Sequence, residues 1–129
     1  KTIIDLGKKY FETDKINNLK IFNADAISFV ENNYYIDPRV KPEDDKAGKF
    51  DIIFVDLYRG GQIELKVETP VFLEKVKELL NKNGVIIFNR LNFSTHKDTA
   101  QKFKEKLEKI FSQVTQTKSY SNIIFLGKK

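Results

Sequence analysis

Two runs, IIFV at residues 52–55 and VIIF at residues 85–88, are built wholly from β-branched and aromatic residues. A strand of that kind has no polar side to turn to water, so it must be covered on both faces. The segment between them, TPVFLEKVKELLNKNG, has helical spacing. Thr69 is placed to cap it, Pro70 suits its first turn, and Phe72, Val76, Leu79 and Leu80 form one apolar face. Asn83 and Gly84 tolerate a left-handed ending. The spacing also predicts helices in TIIDLGKKYFE, from Ala26 onward, and over residues 95–113, where Ala100, Phe103, Leu107, Ile110 and Phe111 share a face. Residues 19–22 read as a further short strand, and VTQTKSYSNIIFLG as two strands broken near residues 119–121. Helix and strand therefore alternate until a closing hairpin. That order predicts an α/β fold, a mainly parallel sheet with helices on both faces.

A chain of 129 residues with no internal repeat suits one domain. Residues 33–49 hold two prolines, a cluster of acids and no sustained period, and read as a long mobile loop. Cysteine is absent, which removes disulfides, thiolate metal sites and cysteine nucleophiles and fits a cytoplasmic protein. Methionine is absent too, position 1 included, so Lys1 need not follow a start codon. No apolar run approaches the roughly 20 residues needed to span a bilayer, so no membrane partner is expected. The net charge of +5 invites a nucleic-acid reading. Yet the lysines of HKDTAQKFKEKLEKIF alternate with acids around one helix, the pattern of a solvated face. His96 stands alone at a helix start, and no second ligand at suitable spacing points to a metal.

The first apolar strand ends on Asp56 and runs into Leu57, Tyr58, Arg59, Gly60 and Gly61. In an open parallel sheet, ligands sit beyond the carboxyl ends of strands. Asp56 is thus either a turn residue or a site residue. Asp25, at the end of the preceding predicted strand, either caps the next helix, faces a ligand, or does both. The glycine pair serves turn geometry or close approach to a ligand, and it lacks the lysine of a phosphate-binding loop. Asn89 and Asn92 follow the second apolar strand and are placed to line a pocket there.

These words in this order resemble the spermidine-synthase-like branch of the S-adenosylmethionine-dependent methyltransferase fold. TIIDLGKKYF is similar to the helix after that fold's second strand, and NADAISFV to its GDA turn and helix. FDIIFVDLYRGG is similar to its strand and catalytic loop, and TPVFLEKVKELLNKNGVIIFN to the helix and strand beyond. The resemblance implies that Asp25, with Ala26, reads the adenine of the nucleoside cofactor. It implies that Asp56 faces the reacting centre and helps deprotonate an attacking amine, with residues 57–61 as the substrate loop. The implied cofactor is S-adenosylmethionine or its decarboxylated form.

The chain departs from that pattern in three places. Arg59 stands where aminopropyl transferases carry a second acid that holds the cationic polyamine, so transfer to putrescine is not expected. Ala24 replaces the glycine of GDA. The glycine-rich first loop and the acid that binds the ribose hydroxyls would both precede Lys1. The family's strand order, 3-2-1-4-5-7-6, also leaves the first and second strands without a counterpart. The expectation is a partial transferase-like domain, completed by residues before Lys1 in a longer chain. Alone, it is expected to hold no cofactor, to be inactive and to self-associate through exposed sheet edges. The small-molecule acceptor is not named by the residues. The competing expectation is a non-catalytic α/β interaction domain that has lost nucleoside binding.

Overall fold

The computed structural model describes residues 2–32, 50–59, 62–91 and 97–129. Helix α1 spans Thr2–Phe11 and leads through a 3-10 turn, Thr13–Lys15, to α2 at Ala26–Glu31. Strand β1 is Phe50–Val55, and β2 (Tyr58–Arg59) and β3 (Gln62–Ile63) follow as a small pair. A second 3-10 turn, Leu65–Glu68, precedes α3 at Pro70–Leu79. Then come β4 (Leu80–Leu91), α4 (Lys97–Ile110), β5 (Gln113–Lys118) and β6 (Asn122–Lys128). The predicted loop at residues 33–49, the glycine pair, Asn92 and His96 lie outside the described residues.

The main sheet has the order β1-β4-β6-β5. Only β1 and β4 run parallel; β4–β6 and β5–β6 are antiparallel. The sheet is therefore mixed rather than mainly parallel, because β6 returns into the sheet between β4 and β5. That order corresponds to 4-5-7-6, one half of the sheet implied by the resemblance. The predicted strand at residues 19–22 is not a strand. Among the described residues no strand pairs with it, and Leu19, Ile21 and Phe22 are exposed.

Among the described residues, helices cover one face of this sheet, not both. Ile86, Phe88, Arg90, Ile123 and Phe125 are buried on that face, beside Val55 of β1. Helices α2, α3 and α4 pack against one another above them. Phe103 of α4 meets Phe88 edge-on at 5.1 Å and Phe125 at 5.6 Å. On the opposite face Ile52 and Phe54 are 64% and 57% exposed, and Leu126 is exposed as well. Helix α1 buries none of its residues, and its Ile3, Leu6, Tyr10 and Phe11 remain in water. The apolar run of β1 predicted cover on both sides; among the described residues it has cover on one.

Helix α3 begins as expected, with Thr69 Oγ1 accepting from the Phe72 amide at 3.3 Å. It ends at Leu79, four residues before the predicted glycine stop, and Leu80 already pairs with Phe50. Gly84 serves close approach rather than a left-handed turn: a Cβ there would sit 2.9 Å from the Phe50 carbonyl oxygen. The predicted helix at residues 95–113 is α4, described from Lys97 and ending at Ile110 rather than near residue 113, with Ala100, Phe103 and Leu107 buried as anticipated.

Candidate functional site

The candidate residues gather at the carboxyl end of β1. Asp25 caps α2, its Oδ1 accepting from the Ser28 amide at 2.9 Å. That uses one carboxylate oxygen at this helix start. Ala26 and Leu57 line two cavities in common. One, of about 140 Å³, is bounded by Asp25, Ala26, Ile27, Leu57, Tyr58 and Glu64. The other, of about 270 Å³, reaches Asp56 and runs between α2, α3 and β1, with Val30, Phe72 and Val76 in its walls. Asp25 thus lines the smaller cavity and Asp56 the larger, and the two cavities share Ala26 and Leu57 as walls.

Asp56 is exposed, and its Oδ1 accepts from Asn89 Nδ2 at 2.9 Å. Asn89 thus touches Asp56, although it forms part of neither cavity wall. The Tyr58 hydroxyl donates to the Asn89 carbonyl at 2.9 Å, tying the start of the substrate loop to β4. Burial, reinforced by the nearby Asp56 carboxylate, raises the Tyr58 phenol above 10.0, so it remains a proton donor at neutral pH. Arg59 pairs through its backbone with Gln62, and Gly60 and Gly61 fall between them in sequence.

The far end of this loop is clamped by a group that sequence reasoning missed. Buried Glu68 pairs with the guanidinium of buried Arg90, and Lys106 approaches its other oxygen at 3.6 Å. Arg90 also lies over the Phe103 ring, 4.7 Å from its centroid. A signal existed: Ile86, Phe88 and Arg90 alternate along β4, which places Arg90 on the covered face. Asn122 and Ser121, hydrogen-bonded behind Asn89, were also missed. Their approach depends on the β4–β6 register, which no local pattern reveals. Among the described residues no cluster of acids and histidines is arranged to hold a metal ion, and no helix is long and apolar enough to cross a membrane.

The hydrogen bond from the Ser28 amide holds Asp25 below the ordinary carboxylate value of 3.8. A carboxyl with a depressed folded value stabilises α2 fully above about 3.8, and that contribution disappears as pH falls through the lower, folded value. Amide exchange at Ser28 is accordingly expected to quicken only in strong acid. In an Asp25→Asn variant, which keeps an acceptor but does not titrate, that change should vanish.

The half-sheet of order β1-β4-β6-β5 has a methyltransferase-like α/β fold, shared with several solved structures. Human methyltransferase-like protein 13, in complex with SAH, matches with a TM-score of 0.74 at 16% identity, over 98% of this chain and 56% of that one. A probable spermidine synthase from Corynebacterium glutamicum gives 0.75 at 20% identity, over 98% and 44%. Spermidine synthase from Thermotoga maritima gives 0.68 at 13% identity, over 99% and 42%. The chain thus spans 42–56% of the lengths of these matched structures. No curated protein matches it. Residues 1–124 match the spermine/spermidine synthase domain, and the chain belongs to that family.

Proposed function

We propose that this chain is the acceptor-side half of a transferase domain that uses S-adenosylmethionine or its decarboxylated form. The observation that supports this most is the pair of adjoining cavities, one lined by Asp25 and the other by Asp56, with Ala26 and Leu57 in the walls of both. The residues present fit the base of such a nucleoside. Asp25 stands in the cavity wall where it could accept from an exocyclic amine, while Ala26, Leu57 and Tyr58 supply a wall for a flat ring. They do not fit the whole cofactor, because the sequence carries neither the glycine-rich loop nor the ribose-binding acid. Among the described residues β1 is the last strand of its sheet, and Ile52 and Phe54 are exposed, which is where that other half would join, on the same polypeptide or another.

The bound cofactor would present an electrophilic carbon on a sulfonium. Given that positively charged leaving group, this chain's task is to position the acceptor and exclude water. Asp56 orients the nucleophile and accepts its proton if it is an amine. Arg59 places a positive charge in the substrate loop, which disfavours a polyamine and favours a neutral or anionic acceptor.

In a completed domain, Asp25→Ala is expected to weaken nucleoside binding about tenfold, the loss of one good hydrogen bond. Asp56→Ala should leave binding intact and abolish transfer, and putrescine should not be an acceptor. Robust spermidine formation would overturn the acceptor assignment. Nucleoside affinity indifferent to Asp25 would leave that residue a helix cap only. The bare apolar face favours one other reading, a non-catalytic interaction domain. A completed domain that binds no nucleoside would support it.

A further inference from the structure

Behind Asp56 the side-chain hydrogen bonds all run in one direction. Ser121 Oγ donates to Asn122 Oδ1 at 2.6 Å, and Asn122 Nδ2 donates to Asn89 Oδ1 at 2.6 Å. Asn89 Nδ2 then donates to Asp56 Oδ1 at 2.9 Å. The chain of donors starts beside the β5–β6 turn, crosses β6 and β4, and ends on the carboxylate that terminates β1. An asparagine amide presents NH2 or C=O by a half-turn, and only its partners fix which. Asp56, which can only accept, and the Asn122 amino group at the Asn89 oxygen together fix the Asn89 amide with its own amino group on Asp56.

We infer that Asn122, acting through Asn89, is a positioning residue that fixes the rotamer of Asp56. An exposed aspartate at a strand end otherwise samples several rotamers. Aligned hydrogen bonds polarise one another, so the last link strengthens when the first is made. The Tyr58 hydroxyl on the Asn89 carbonyl keeps the backbone of the middle link in place. With Oδ1 committed to Asn89, Oδ2 is the oxygen left for the cleft; among the described residues it takes no hydrogen bond. A single free carboxylate oxygen suits an acceptor that brings one N–H or O–H donor. This substrate class rests on the transferase reading above, whereas the positioning role does not.

Substitution of Asn122 in the full chain, read by NMR, tests the positioning role. In Asn122→Asp the amino donor becomes an acceptor, so two carboxylates compete for the Asn89 amino group and it is no longer fixed on Asp56. The expected result is a shifted, faster-exchanging Asn89 side-chain amide pair. Asp56 should lose a single χ1 rotamer in its scalar couplings, while the backbone shifts of β1 and β4 hold. Should the new charge unfold the hairpin, Asn122→Ala removes the same donor without it and should give the same loss. Asn89 amide signals and Asp56 couplings unchanged in the folded variant would overturn the inference. These readouts need no cofactor, so a failed transferase reading shows separately, as absent nucleoside binding.

Discussion

Replacing Glu68 by leucine is expected to cost about 3–5 kcal/mol of folding stability, the usual result of removing one partner of a buried ion pair. Glu68 and Arg90 are only 8% and 3% exposed. Without the carboxylate, the guanidinium keeps only Thr99 Oγ1 at 3.4 Å and the Phe103 ring as partners among the described residues. Arg90→Leu should cost less, because Lys106 still reaches Glu68 from a half-exposed position. The double variant Glu68→Leu/Arg90→Leu should recover most of the loss, since no charge is then stranded and Lys106 can turn to solvent. Urea unfolding of the three variants measures this. Single substitutions costing under about 1 kcal/mol, the scale of a surface pair, would show that the clamp contributes little.

Phe54→Lys is expected to act with opposite signs in two settings. In the chain as described, Phe54 is 57% exposed on an edge strand. The only charge of β1, Asp51, is drawn to Asn81 Nδ2 at 2.6 Å instead of guarding the edge. Lysine at position 54 should therefore suppress self-association, as charges on natural edge strands do, with no loss of folding. In a completed domain the same position would be covered, and an unpaired ammonium there should unfold the protein. Sedimentation velocity and thermal melts separate the two. A variant that unfolds the chain alone, or is harmless in the completed domain, would show that this face is not a joining surface.

Much of the fold was legible because its signals are local. The Thr69 cap, Pro70 and the 72-76-79 spacing mark α3, and the apolar runs mark β1 and the middle of β4. The candidate site was legible in part, through Asp25 and Asp56 at segment ends and Asn89 just past a strand. What was not legible depends on partners far away in sequence. Residues 19–22 have the composition of a strand, yet among the described residues no strand lies beside them. Composition likewise could not show that Ile52 and Phe54 would stay bare. The Asn89–Asn122 contact spans 33 positions and arises from strand register alone.

The central claim is that these 129 residues carry the acceptor side of a nucleoside-dependent transferase but not a whole cofactor site. Calorimetric titration of decarboxylated S-adenosylmethionine into this chain, and into the domain completed by its cofactor-side half, tests it most directly. The account predicts no heat of binding for the chain alone. It predicts micromolar affinity, about −8 kcal/mol, for the completed domain, weakened by Asp25→Ala. Micromolar binding by a monomer of the chain alone would contradict it.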